Sequence, residues 1–103
     1  MGYKIVRTDA FQHDLESVIR YIVISLKNKV AAAALLDAIE KVYADLEHLP
    51  LMYAACHDSY LKELGYRKVC IRNYILVYKV DEPAKTVNVM RFFHGKQDYE
   101  KLI

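Results

Sequence analysis

The chain has 103 residues, 54% of them hydrophobic and 27% charged, with a net charge of +2 and only two cysteines. That length suits one packed domain, expected over residues 1–103, and is too small for a large cofactor-binding fold. No run approaches the ~20 uninterrupted apolar residues of a membrane span, the opening Met1-Gly2-Tyr3-Lys4-Ile5-Val6-Arg7 lacks the apolar core of a secretion signal, and Cys56 and Cys70 have no metal-type spacing.

Taken in order, Tyr3 to Thr8 alternates as a short strand. Asp9 is then expected as the N-cap of a first helix, with Gln12 completing a capping box. Phe11, Leu15, Val18, Ile19, Ile22 and Leu26 recur at helical spacing and form its inward face. Asn28 is expected to cap a second helix directly afterwards, with the slim run Ala31 to Ala34 packing close to its neighbour. Leu35, Leu36, Ile39, Val42, Tyr43, Leu46 and Leu49 give that helix its apolar stripe, and Pro50 stops it. So short a joint implies an antiparallel helix hairpin whose apolar face needs a sheet. Leu51 to Leu64 reads as a loop ending in a helical turn. Strands follow over Tyr66–Ile71, Tyr74–Asp81 and Thr86–Phe93, joined by a tight turn at Arg72-Asn73 and a longer one at 81–85. Connections this short make the strands an antiparallel meander. Gln97 to Ile103 is expected to form a last helical turn. The fold class is therefore α+β: an N-terminal strand, a two-helix hairpin and a three-stranded meander, with the helices on one face of an antiparallel sheet.

Charge divides along the same line. Residues 1–59 hold six Lys/Arg against eight Asp/Glu, and residues 60–103 hold nine against five. The strand half is the basic half, with Arg67, Lys68, Arg72, Arg91 and His94 set among Val, Ile, Tyr and Phe. That pattern points to an anionic or acidic partner.

The runs Gly65-Tyr66-Arg67, Tyr74-Ile75-Leu76-Val77-Tyr78-Lys79-Val80 and Val89-Met90-Arg91-Phe92-Phe93-His94-Gly95-Lys96-Gln97-Asp98 occur in this order and spacing. With Thr8-Asp9-Ala10 and the acidic-Leu pair Asp14-Leu15, they resemble the RelE/ParE superfamily of toxins from bacterial type II toxin–antitoxin modules, closest in pattern to its ParE-like, plasmid-stabilisation members. The resemblance spans nearly the whole chain. It implies a cytoplasmic growth inhibitor neutralised by a cognate antitoxin, which touches operator DNA only through that antitoxin and has no membrane partner. It implies no cofactor and no metal. Within the superfamily, RelE-type members are mRNA endoribonucleases that work in the ribosome, whereas ParE-type members poison DNA gyrase; a shared fold does not choose between them. A third reading is a degenerate member that keeps only antitoxin binding.

Cleavage of RNA by its 2′-hydroxyl needs a proton donor or acceptor and cations for the phosphorane. His94 suits the first role because a histidine ordinarily changes charge near neutral pH; Arg67, Arg72 and Arg91 suit the second. Lys68, Lys96 and Tyr99 are the matching substrate contacts, with Tyr99 stacking on a base. Each has a structural alternative: an ion pair of Arg91 with Asp98 or a helix carboxylate, a backbone-bonded turn residue at His94, and solvated charge at Arg67 and Lys68. Strand alternation places Arg91 with Val87, Val89 and Phe93, and His94 with Met90 and Phe92, so the two converge only if the strand bends near Phe93-His94. Tyr74 and Tyr78 are expected as core or half-buried strand aromatics. Cys56, His57 and Asp58 lack the further ligands of a metal site. The resemblance also exposes a departure: Ile75 stands where several RelE ribonucleases have an arginine, and Lys96-Gln97 follow the last strand where those enzymes place more. That favours the gyrase-directed reading. An antitoxin is expected to lay an amphipathic helix or an added strand across an apolar groove on the hairpin or at a sheet edge.

Overall fold

The chain enters its first helix through Thr8, not Asp9. Thr8 keeps an extended backbone and its hydroxyl accepts the Phe11 N–H at 3.1 Å, which is the N-cap geometry. The same hydroxyl is 3.0 Å from the Val89 carbonyl and 3.1 Å from that of Met90, so the cap also ties the helix start to the sheet. Asp9 becomes a first-turn acid, and the Gln12 amide donates to the Arg7 carbonyl, so the expected capping box does not form.

The structure, a computed structural model, describes residues 2–53 and 59–95. Strand β1 (Lys4–Arg7) leads into helix α1 (Asp9–Arg20), which continues as a π-turn (Tyr21–Ser25). Helix α2 (Lys29–His48) begins at the expected cap, Asn28, whose side chain accepts the Ala31 N–H at 3.0 Å. Lys27 makes the reversal with a left-handed φ of 51°. The short helix α3 (Ser59–Glu63) stands where the helical turn was expected, and strands β2 (Tyr66–Ile71), β3 (Tyr74–Asp81) and β4 (Thr86–His94) follow. The expected turn from Gln97 to Ile103 lies outside the described residues.

The sheet order is β1-β4-β3-β2. β2, β3 and β4 form the antiparallel meander, but β1 lies parallel to β4, with Lys4 opposite Thr86 and Arg7 opposite Val89, so the sheet is mixed. Its main core joins Phe11 of α1, Leu35, Ile39 and Leu46 of α2, and Leu76, Tyr78, Val87, Val89 and Phe92 of the strands. Tyr78 is fully buried, and its hydroxyl donates to the Pro50 carbonyl, which satisfies the polar tip of an otherwise apolar side chain. The opposite face carries a smaller cluster, Ile75, Val77 and Phe93, covered by Leu61 of α3. Hence the hairpin occupies one face as expected, and a third helix occupies the other.

Three residues of the predicted stripes point outward. Leu26, Leu36 and Leu49 are exposed: Leu26 follows the π-turn, Leu49 follows the end of α2, and Leu36 adjoins Leu35, whose side of the helix faces the sheet. The backbones of α1 and α2 come together mainly at the π-turn, which leaves an open channel between the rest of the two helices.

Candidate functional site

Strand β4 carries the residues that the sequence singles out, and its geometry is set by one irregularity. Val77 faces Arg91 and Tyr78 faces Val89, so Met90 is an extra residue without a partner on β3. This β-bulge flips alternation just before Arg91. Arg91 therefore shares a face with Phe93 but not with Val87 and Val89, and the bend falls at Met90 rather than at Phe93-His94. The Arg91 guanidinium carbon sits 4.7 Å from the centre of the Phe93 ring.

The bulge also lies where β1 stops. Beyond Val89 the outer edge of β4 has no strand beside it, and helix α1 supplies side chains instead. The Asp14 carboxylate accepts Arg91 Nε at 2.7 Å, Arg91 Nη2 at 3.1 Å and the Phe92 backbone N–H at 3.0 Å. This is a two-pronged, part-buried pair that also satisfies an edge donor. The hydrogen bonds to Asp14 raise the Arg91 guanidinium above its ordinary value, so it stays charged throughout the working pH range. The helix-carboxylate alternative for Arg91 is thus the one in place; Asp98 lies outside the described residues.

His94 ends β4 opposite Tyr74, with the two rings edge to face at 5.5 Å, and Tyr74 in turn stacks on Phe92 at 5.3 Å. On one side a cleft of about 420 Å³ is lined by Arg72, Asn73, Tyr74 and His94. On the other, a cleft of about 580 Å³ runs between α1 and β4, lined by Asp14, Tyr21, Tyr74, Arg91 and His94. Arg91 and His94 thus share the second cleft, while Arg72 and His94 share the first. Arg72 takes the left-handed position of the β2–β3 turn, φ 56°, a conformation that β-carbons disfavour. Gly95 closes the site: its N–H meets the Asn73 carbonyl at 2.6 Å, and a β-carbon there would stand 3.0 Å from that oxygen.

The remaining candidates lie elsewhere. Arg67 donates to the Tyr53 carbonyl at 2.6 Å and is 3.4 Å from that of Leu51, which pins the segment after α2 to the sheet. By strand rise it is about 16 Å along the chain from Arg72, at the other end of β2. Lys68 faces Val77, on the side of the sheet covered by α3. Ile75 is buried against Leu61 and Phe93, an apolar core residue at the position that the resemblance matches to an arginine. Lys96, Gln97 and Tyr99, like Cys56, His57 and Asp58, lie outside the described residues. Among the described residues no group of three His, Cys, Asp or Glu stands close enough to hold a metal ion.

A concavity larger than either cleft lies elsewhere. A groove of about 690 Å³ runs between α1, the π-turn and α2, floored by Phe11, Leu15, Ile19 and Ile39 and reaching Ile24 and Leu36. Arg7, Glu16, Arg20 and Glu40 stand around it, two of each sign. At one end Tyr43 lies under the Arg7 guanidinium, 5.8 Å from ring centre to carbon. Burial pushes the Tyr43 hydroxyl up to about 12, against the opposing pull of Arg7. The expected hairpin groove is therefore present. Asp14 as the keeper of Arg91 escapes a reading by periodicity because its contact is with β4; Thr8 is a cap-type residue beside Asp9 whose cap bond is local, and the π-turn leaves no periodic signal.

A family model described as "ParE toxin of type II toxin-antitoxin system, parDE" matches residues 5–99. No curated relative matches the chain. Among solved structures, a chain of the RelBE2 toxin–antitoxin complex from Mycobacterium tuberculosis is similar with a TM-score of 0.64 and 23% identity, over 91% of this chain and 99% of that one. A chain of the chromosomal ParDE system from P. aeruginosa gives a TM-score of 0.68 and 14% identity, over 89% of this chain and 95% of that one. At these identities the structures establish a shared fold. Among the described residues no helix is long and apolar enough to cross a membrane.

Proposed function

The chain belongs to the ParE toxin family of type II toxin–antitoxin systems, and from that premise we propose that it is a cytoplasmic, non-enzymatic growth inhibitor that acts on DNA gyrase as one domain over residues 1–103. The observation that carries this reading is the dispersal of its cations. Arg91 is neutralised by Asp14, and Arg67 is spent on backbone carbonyls at the far end of β2. Ile75 is buried where a nuclease relative would need charge. A phosphorane needs several cations converging on one point, and this arrangement supports binding rather than cleavage. The structural neighbours come from toxin–antitoxin assemblies, which supports a cognate antitoxin as the natural partner, with its helix in the groove between α1 and α2 and operator DNA reached only through it.

A second reading keeps ribosome-dependent mRNA cleavage, because His94 shares one cleft with Arg91 and another with Arg72. In it His94 moves the proton, Arg72, Arg91 and Arg67 supply charge, and Lys68, Lys96 and Tyr99 hold the substrate. Expressing the chain without antitoxin separates the two. The gyrase reading expects DNA-damage signalling, intact message and inhibited supercoiling by purified gyrase, all unaltered by His94→Ala. Fragmented message with normal supercoiling, abolished by His94→Ala, overturns it in favour of the nuclease. Unaffected growth with folded protein overturns both and leaves a member that only binds antitoxin.

A further inference from the structure

The π-turn interrupts a helix at the place where that helix borders the groove. Between Tyr21 and Ser25 the backbone bonds widen to five-residue spacing, with the Leu26 N–H meeting the Tyr21 carbonyl at 3.1 Å. The residues of that turn are almost all apolar, yet they go separate ways: Ile22 is buried in the core, while Ile24 is 64% exposed and reaches the groove. In an unbroken α-helix each residue advances by about 100°. From Phe11, that places Ile24 at about 220°, some 40° beyond Arg20 and away from the channel. A wide turn advances each residue by less, which brings Ile24 back beside Arg20, on the rim. A large apolar side chain is thereby held in water on an otherwise ordinary helix, in a wide-turn geometry that is frequent at functional sites.

We propose that the π-turn is the specificity device of the groove: it sets Ile24 on the rim as an anchor for one apolar position of an amphipathic antitoxin helix. This rests on the antitoxin reading given above. The groove itself argues for that occupant. Its two cations and two carboxylates cancel, which offers nothing to a polyanion, while its floor is apolar. From Phe11 to Ile24 it runs about 20 Å, the length of some three to four turns of a partner helix. Such a helix presents one apolar side chain per turn to the floor and charges of alternating sign to Glu16, Arg20 and Glu40.

The test uses the full chain and the antitoxin encoded beside it, co-expressed, purified and measured by calorimetry. Ile24→Ser removes the anchor and keeps the wide turn. Deleting Ser25 lets the Leu26 N–H meet the Tyr21 carbonyl at α-helical spacing, so that Ile24 remains but rotates off the rim. Val30→Ser, at an exposed position on the hairpin tip, is the control. Ile24→Ser should weaken the complex about tenfold or more, with an unchanged melting temperature and with Val30→Ser within about twofold of the unaltered chain. The deletion, if folded, should match Ile24→Ser; if it does not fold, the Ile24→Ser result alone decides. Ile24→Ser binding within twofold of the unaltered chain overturns the inference, and so does a folded deletion that binds normally. A chain that dimerises alone, and becomes monomeric on Ile24→Ser, overturns it in favour of a second copy as occupant. No complex with the unaltered chain overturns the antitoxin reading itself.

Discussion

Tyr43 shows how one buried side chain makes stability depend on pH. Its hydroxyl sits at the end of the groove and ionises near 12 because burial disfavours the phenolate more than Arg7 favours it. In the unfolded chain the same group ionises near 10. Between these values the folded state holds a proton that the unfolded state has lost, so the contribution is fully present below pH ~10 and is lost as pH rises toward ~12. Tyr53 is raised for the same main reason and adds in the same direction. Urea unfolding of the natural chain should therefore weaken from pH 10 to 12 more steeply than that of Tyr43→Phe. Equal slopes would show that burial at this position does not govern the titration.

At the scale of elements, α1 is pinned to β4 by side chains rather than by strand pairing. Asp14 holds Arg91 and the Phe92 N–H at once, with 16% and 31% of the paired side chains exposed. Asp14→Ala should cost about 2 kcal/mol, since it removes one acceptor shared by a guanidinium and a part-buried N–H. Asp14→Asn should recover part of that loss by keeping one acceptor oxygen, and chemical denaturation measures both. Losses below ~0.5 kcal/mol for both variants would reduce the contact to an ordinary surface pair. Much of this level is legible in the sequence: apolar spacing locates α1 and α2, Asn28 and Pro50 bracket α2, and the strand limits follow from β-branched runs between turn residues. What escapes is non-local. The parallel pairing of β1 with β4 and the service of Asp14 to the strand edge involve residues about eighty positions apart, and the bulge at Met90 depends on the register of β4 against β3. Periodicity reports only on a residue's own element. At the candidate site this meant that His94, Arg72 and Arg91 could be named, but not that Asp14 occupies Arg91 while Arg67 faces a different part of the fold.

The whole molecule has two unequal cores back to back on one sheet. The larger joins the hairpin to β1, β2, β3 and β4, and the smaller depends on Leu61 over Ile75, Val77 and Phe93. Leu61→Ala should destabilise the protein by about 3 kcal/mol, within the usual range for a buried leucine, and leave the groove on the opposite face intact. Thermal melting combined with antitoxin affinity checks this: lower melting with unchanged affinity is the expected outcome. A parallel fall in both would mean that the two faces are mechanically linked. Tyr43, by contrast, belongs to the groove and to the larger core together, so changes there should move both measurements.

The parallel seam between β1 and β4 has a consequence for the moment at which the protein comes into being. β1 leaves the ribosome about eighty residues ahead of its partner, Thr86 to Val89. Thr8 likewise waits for the carbonyls of Val89 and Met90, and Asp14 for Arg91 and Phe92. A nascent chain can close the helix hairpin and the β2–β3 ribbon early, but it cannot assemble the sheet until β4 emerges, because long loops must close before distant pairs reward them. A cell making this toxin therefore meets its sheet assembled only after β4 has emerged. Translation itself supplies a delay in which an antitoxin already present can be waiting.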